Sequence, residues 1–250
     1  MTDNQEKINF VGQFLDVFNN LRNLCVNFLK QNPHFFEQLA LFLDNLPKLL
    51  RDIWGKAAEY GWYINGCTPA SVQEVMLQKV DQATLDREMV EHLERDWDSV
   101  VEGILSACPE RREILECAFQ LHTEGCYIAA IPLMFAQADG ICEEGFTAHL
   151  FRGYKNLETD LDNLAGMHSS LDIWLKTLGL KTQLTQHSSN DSLEQKALAP
   201  NRHGVMHGSS KHLDYGTKIN SLKAFSLLAF VVLIGEKIKA QKYEVSKSNL

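Results

Sequence analysis

The sequence predicts an all-α protein. Three observations carry this: apolar residues return every three or four positions through most of the chain, no segment sustains the period-two alternation of a half-buried strand, and prolines and glycines fall where helices would begin and end. A chain of 250 residues with 45% hydrophobic and 22% charged content can bury a sizeable core.

The stretch "INFVGQFLDVFNNLRNLCVNFLK" places Phe10, Phe14, Val17, Leu21, Leu24 and Phe28 on one helix face. Pro33 and Pro47 sit where further helices can start, because a first turn tolerates a missing N–H. Residues 6–60 are therefore expected as two or three amphipathic helices, ended by "EYGWYINGCTPA" with Gly61, Gly66 and Pro69. The density of Phe and Leu over residues 1–60 also suits a helix-in-groove partner surface as the alternative to core. Gly61-Trp62-Tyr63 reads as a packed turn, with a base-stacking platform as the alternative. Thr68-Pro69 has the form of an N-cap and first turn, so helices are expected over 69–80 and 82–106, and Cys108-Pro109 restarts one over 109–122.

"CYIAAIPLMFAQADGICEEGF" is apolar on nearly every side up to Asp139 and is expected to be a central buried helix, which Pro132 either kinks or opens. A long helix over 156–178 turns Leu157, Leu161, Leu164, Leu171 and Trp174 inward. "KTQLTQHSSNDSLEQK" is polar and reads as a loop, and "TKINSLKAFSLLAFVVLIGEKIKAQ" is the last helix. The acidic clusters at 91–98 and 158–162 and the pair Glu143-Glu144 read as solvated faces.

Composition removes several function classes. Dispersed glycines argue against a phosphate cradle, and there is no P-loop and no internal repeat. "MTDNQEKINF" has neither a basic n-region nor an apolar h-region, and the run from Ala224 to Gly235 is shorter than the ~20 residues of a membrane span. A cytoplasmic protein with no membrane segment is expected. Six cysteines at 25, 67, 108, 117, 126 and 142 form no C-x-x-C pair and are expected as reduced, buried thiols. The net charge of −8 speaks against wrapping nucleic acid, yet from Lys196 onward nine Lys and Arg stand against three acids. That is either a local positive field on an acidic body or the solvated face of a C-terminal helix.

"LAPNRHGVMHGSSKHLDYG" gathers Arg202, His203, His207 and His212. As metal ligands, His203 and His207 would share a helix face with His212 as a third donor. Gly204 stands where H-E-x-x-H has its Glu, however, and a neighbouring guanidinium repels a cation, so no metal is expected. As structure, Pro200-Asn201 starts a short helix, Gly208 ends it as the C′ residue, His207 occupies the last turn, and Arg202 pairs with Asp139, Glu143 or Asp214. As phosphate chemistry, a histidine moves the 2′-hydroxyl proton of RNA while an arginine fork steadies the pentacoordinate phosphorus. Five residues of regular helix are about 140° of rotation, so Arg202 and His207 do not share a face unless Gly204 and Gly208 relax the turn or a second copy completes the site.

"NRHGVMHG" resembles the R-x4-6-H signature of the HEPN superfamily, all-helical domains in which a polar residue usually follows the Arg, as His203 does here. Its members carry the motif late in the chain beside a hydrophobic helix of a four- or five-helix bundle. "HTEGCYIAAIPLMFAQADGI" is similar to the buried bundle helix whose acidic residue faces the motif, which points to Asp139. N-R-H-x-x-x-H-G followed by D-Y-G and N-S-L-K-A is also similar to poorly characterised bacterial members.

The resemblance covers about 109–240 and not residues 1–108; a HEPN-like helical domain is expected over 67–250 with that region as its bundle core, preceded by an N-terminal amphipathic helical arm, 1–66. It implies a metal-independent endoribonuclease without a cofactor, acting as a toxin or abortive-infection effector in antiviral defence. RNA would be the substrate, a homodimer would bring two motifs together, and an antitoxin or other defence protein would be the partner. Arg202 would stabilise the phosphorane, His207 would be the general acid/base and His203 a polar helper, with Asn201 and Asp139 in support. The alternative is an inactive HEPN-like module that dimerises or binds a protein or RNA partner.

Overall fold

The computed structural model describes residues 26–64, 68, 72, 81–146, 150–151, 159–163, 172–185 and 192–248. Among them no residue lies in a strand, and the fold is all-α. The chain separates into two compact units, one up to Leu49 and one from Leu50 onward.

In the first unit, helical residues 26–31 turn through Pro33 and His34 into α1 (Phe35–Glu59). Pro33 thus precedes a helix start, whereas Pro47, expected at one, lies inside α1. There it removes the rung to Leu43 and leaves the rest of the ladder to carry the helix. Phe28, Phe35 and Phe36 meet edge to face, while Phe36, Leu41, Phe42 and Leu43 remain exposed. The expected apolar positions from Phe10 to Leu24 lie outside the described residues.

The second unit takes in residues 50–64, part of the stretch expected as an arm: Trp54, Ala57, Ala58, Trp62, Tyr63 and Ile64 are all buried. Gly61 turns the chain at φ +84°, and a Cβ there would strike Ala199. Trp62 and Tyr63 have no exposed surface, so they are a packed turn with no face open to a nucleobase. The helix expected over 69–80 lies outside the described residues apart from Val72.

The helix expected over 82–106 is two, α2 (Gln82–Arg95) and α3 (Trp97–Ala107). They break at Asp96, whose φ of −103° and ψ of 12° leave the helical region and whose carboxylate is engaged by His92 and Arg95. Local side-chain bonds of this type compete with helix continuation. A 3-10 turn, Pro109–Arg111, then leads into α4 (Arg112–Thr123), close to the expected restart.

α5 (Tyr127–Phe146) is the expected central helix, with Ala130, Ile131, Met134, Phe135 and Ala138 fully buried. Pro132 lies within it and cannot donate to the carbonyl of Ile128. The Tyr215 hydroxyl donates to that carbonyl instead, at 2.8 Å. Of the helix expected over 156–178, residues 159–163 and α6 (Asp172–Leu178) are helical; Leu161 is buried and Trp174 packs on Trp54, while Leu157, Leu164 and Leu171 lie outside the described residues.

The polar stretch 181–196 is not simply a loop. Thr182, Gln183, Leu184 and Thr185 form a buried turn, and α7 (Leu193–Leu198) begins in a capping box between Ser192 and Gln195. After α7 come α8 (Arg202–Met206), a 3-10 turn at Ser210–His212, and α9 (Lys218–Ser248).

α9 is buried at every position from Leu222 to Val232, and α5 lies along it. α4 packs on α5, and α2 and α3 pack on α9. Each large apolar side chain buried there contributes about 1.5–3 kcal/mol. Lys218–Ala240 is longer than the apolar run alone and is long and apolar enough to cross a membrane, but 78% of its most apolar window is buried inside the protein, as a core helix requires. Four described cysteines are free thiols: Cys108 and Cys142 are buried as expected, while Cys117 and Cys126 are exposed.

Candidate functional site

α8 is a five-residue helix held at both ends by local chemistry. Asn201 is its N-cap, accepting the Gly204 N–H at 2.7 Å through its side chain. At the other end Gly208 adopts φ +63° and donates to the Val205 carbonyl, while the Ser209 N–H donates to Gly204. That is the Schellman pattern, with His207 at the C-cap and Gly208 at C′. The predicted helix start and stop are thus both observed, and Asn201 acts as the cap.

Neighbouring segments fix α8 in place. The Arg202 N–H donates to the Gln183 carbonyl in the buried 182–185 turn. Upstream, the Leu198 carbonyl accepts from Lys223 Nζ at 2.6 Å. Lys223 is 1% exposed, sits over the Trp62 ring and pairs with Asp86 at 2.9 Å. Asp86 also accepts from Trp62 Nε1 at 2.6 Å, which closes a buried network under the approach to α8.

Downstream, His212 is buried against Gly204, and a Cβ on Gly204 would fall inside its ring. His212, at the end of the 3-10 turn, thereby packs that turn onto α8. Tyr215 reaches Ile128, and Gly216 accepts the Ile128 side chain where a Cβ would collide. Gly204, His212, Tyr215 and Gly216 therefore form a clasp between α8 and the start of α5.

Arg202 turns inward. Its guanidinium carbon lies 3.6 Å from the centre of the buried Phe151 ring, and its Nε is buried with no hydrogen-bond partner among the described residues. Burial lowers the Arg202 pKa to about 10, while the carboxylate of Asp139 on α5 works the other way. The acidic residue picked from the sequence therefore acts on this arginine. Phe151 carried no signal in the sequence, because a lone aromatic in an undifferentiated stretch does not announce a cation–π partner.

His203 and His207 face each other, with ring centroids 4.5 Å apart and planes at 57°. His203 is half-buried with its Nδ1 inside, and His207 is exposed. Among the described residues no hydrogen bond, ion pair or ring contact joins Arg202 to His207. The structure thus brings together His203 with His207, and Arg202 with Phe151 and Asp139, as two adjoining groups.

A polar hollow of about 40 Å³ beside α8 is lined by Lys196, Asn201, His212, Asp214, Tyr215 and Asn220, room for water but not for a base. Among the described residues no three His, Cys, Asp or Glu side chains gather closely enough to hold a metal ion. Compared with known protein families, curated proteins and solved structures, the chain matches none.

Proposed function

We propose that this protein is a metal-independent endoribonuclease of HEPN type, acting at Arg202, His203 and His207, with a role as a toxin or abortive-infection effector. One observation carries the reading. A short helix, capped at both ends, holds the half-buried His203 beside the exposed His207, next to an arginine that Asp139 helps to keep charged. Such a set supplies proton transfer and a permanent cation for the phosphorane without a metal. The late position of the motif, between the central α5 and the apolar α9, agrees with the resemblance.

Arg202 and His207 diverge within one chain, so the reading includes a homodimer in which a second motif completes the cleft. The test is cleavage of an RNA pool by the purified full chain in EDTA. Arg202→Ala and His207→Ala are expected to abolish it, with the variants still folded; full activity in both overturns the site.

A second reading rests on a specific observation. Arg202 is occupied by Phe151, while Met206, Leu213 and Ile128 are 41%, 68% and 63% exposed. An inactive module that binds a protein through exposed apolar side chains fits those facts, and it predicts no RNA cleavage under any condition.

A further inference from the structure

We infer that the apolar stripe on the first half of α1 is an interface between two copies of this chain, each stripe covered by that of the other copy. The proposal uses no residue of α8 and is independent of the ribonuclease reading.

The stripe is built by spacing. Phe36, Leu39, Leu43 and Leu46 stand three and four residues apart, and Phe35, Phe42 and Leu49 widen the same side of the helix. The series runs on in register to Leu50, Ile53 and Ala57, of which Ile53 and Ala57 are buried. Nearer the start of α1 the same series is bare. Phe36 is 64% exposed, Leu39 38%, Phe42 52% and Leu43 53%, and Phe28, which packs on Phe35, is 48% exposed. One helix face is therefore core at Ile53 and Ala57 and open to solvent between Phe36 and Leu43.

Size and charge select the occupant. The bare parts of these five side chains come to roughly 500 Å² of apolar surface, as much as the largest patch on a typical monomer. With the half-buried Phe35, Leu46 and Leu49 added, the stripe approaches the ~800 Å² that each partner gives to a stable interface. A helix that lies on a membrane or follows a phosphate backbone is rich in lysine and arginine. Residues 26–49 carry only Lys30 and Lys48, against Glu37 and Asp44. At about 100° per residue, Glu37, Asp44 and Lys48 all fall on the side of α1 away from Leu39 and Leu43. An uncharged stripe at heptad spacing is complemented by a second helix with the same stripe. A two-fold axis supplies that helix from another copy, because an isologous interface sets one patch on itself.

The test is the mass of the full-length protein in solution, measured by sedimentation equilibrium. Wild type is expected as a dimer or an even multiple of it. Leu39→Glu/Leu43→Glu is expected to halve that mass, and so is Leu39→Lys/Leu43→Lys, since each sets like charges against its own copy. An equimolar mixture of the acidic and basic variants is expected to recover the wild-type mass, which misfolded chains would not do. Leu41→Glu is the control. Leu41 is 62% exposed but lies about 200° around the helix from Leu39 and Leu43, so its variant is expected to keep the wild-type mass.

A monomeric wild type overturns the proposal, as does a mass unchanged in both double variants. Leu41→Glu dissociating like the double variants, or a mixture that stays at half mass, overturns it too. A monomeric wild type that co-sediments with phosphatidylcholine–phosphatidylglycerol vesicles, while the acidic double variant does not, would assign the stripe to a lipid surface instead. RNA cleavage is not the readout, so the nuclease reading stands or falls separately.

Discussion

Two pairs of histidines in this protein have opposite circumstances. His92 and His122 belong to the helical body, while His203 and His207 belong to the short surface helix. His122 is 7% exposed, shares a hydrogen bond with Ser221 at 2.8 Å, and stacks on Trp97 at 4.6 Å. Burial lowers its pKa to about 4 and lowers that of His92 as well. These are neutral, polar pieces of core. In the motif pair His207 is exposed, while His203 is half-buried with its Nδ1 inside. The side chain is the same in both places; burial and neighbours make one pair core, while the chemistry proposed for the other needs its exposure.

The largest effect that sharpens this contrast is in the body. Asp86→Ala strands the Lys223 ammonium in the interior and is expected to cost about 3–5 kcal/mol in denaturant unfolding. Lys223→Met, which removes the buried charge and keeps much of the volume, is expected to cost clearly less. Equal costs would mean that Asp86 is not what makes the buried lysine tolerable.

The next is a pH effect. The unfolded chain binds a proton at His122 near pH 6.5, the folded one only near pH 4, so acid favours unfolding. Stability is expected to be full above pH 6.5 and to fall by about 3 kcal/mol as the pH drops to 4, with His92 adding in the same direction. In His122→Gln the slope of unfolding free energy against pH should flatten across that window.

Smaller effects test the clasp. Gly204→Ala puts a methyl into the His212 ring and is expected to lower stability by about 1–3 kcal/mol. Tyr215→Phe removes the donor to the Ile128 carbonyl that Pro132 cannot serve, at about 1 kcal/mol. Placing Tyr215→Phe on a Pro132→Ala background should cost less, because the helix then supplies its own N–H. Thermal melts of the single and double variants measure that coupling.

Much of this architecture was legible in the sequence where local chemistry dictates structure. Pro109 restarts a helix, Gly208 ends α8 in the left-handed conformation, and the apolar run from Ala224 becomes core. The Ser192-x-x-Gln195 capping box was also legible and opens a helix in a stretch whose polarity suggested a loop. What periodicity does not carry is the long-range part. Asp96 breaks a helix through bonds to its own neighbours, and Lys223 looks like any other lysine until Asp86, Trp62 and Leu198 surround it. Within the site, the histidine pair followed from i, i+4 spacing, and Asp139 stood among three candidate partners of Arg202 before the resemblance pointed to it. Phe151 and the Tyr215 clasp depend on distant segments meeting, which no local pattern records.

The contrast between the two histidine pairs is tested most directly by measuring RNA cleavage and thermal stability together in His207→Ala and His122→Gln. The account predicts that His207→Ala loses cleavage by about 10²–10⁴-fold at an unchanged melting temperature, while His122→Gln melts earlier and cleaves RNA like wild type at temperatures where it is folded. Cleavage that survives in His207→Ala, or that disappears in a folded His122→Gln, would contradict it.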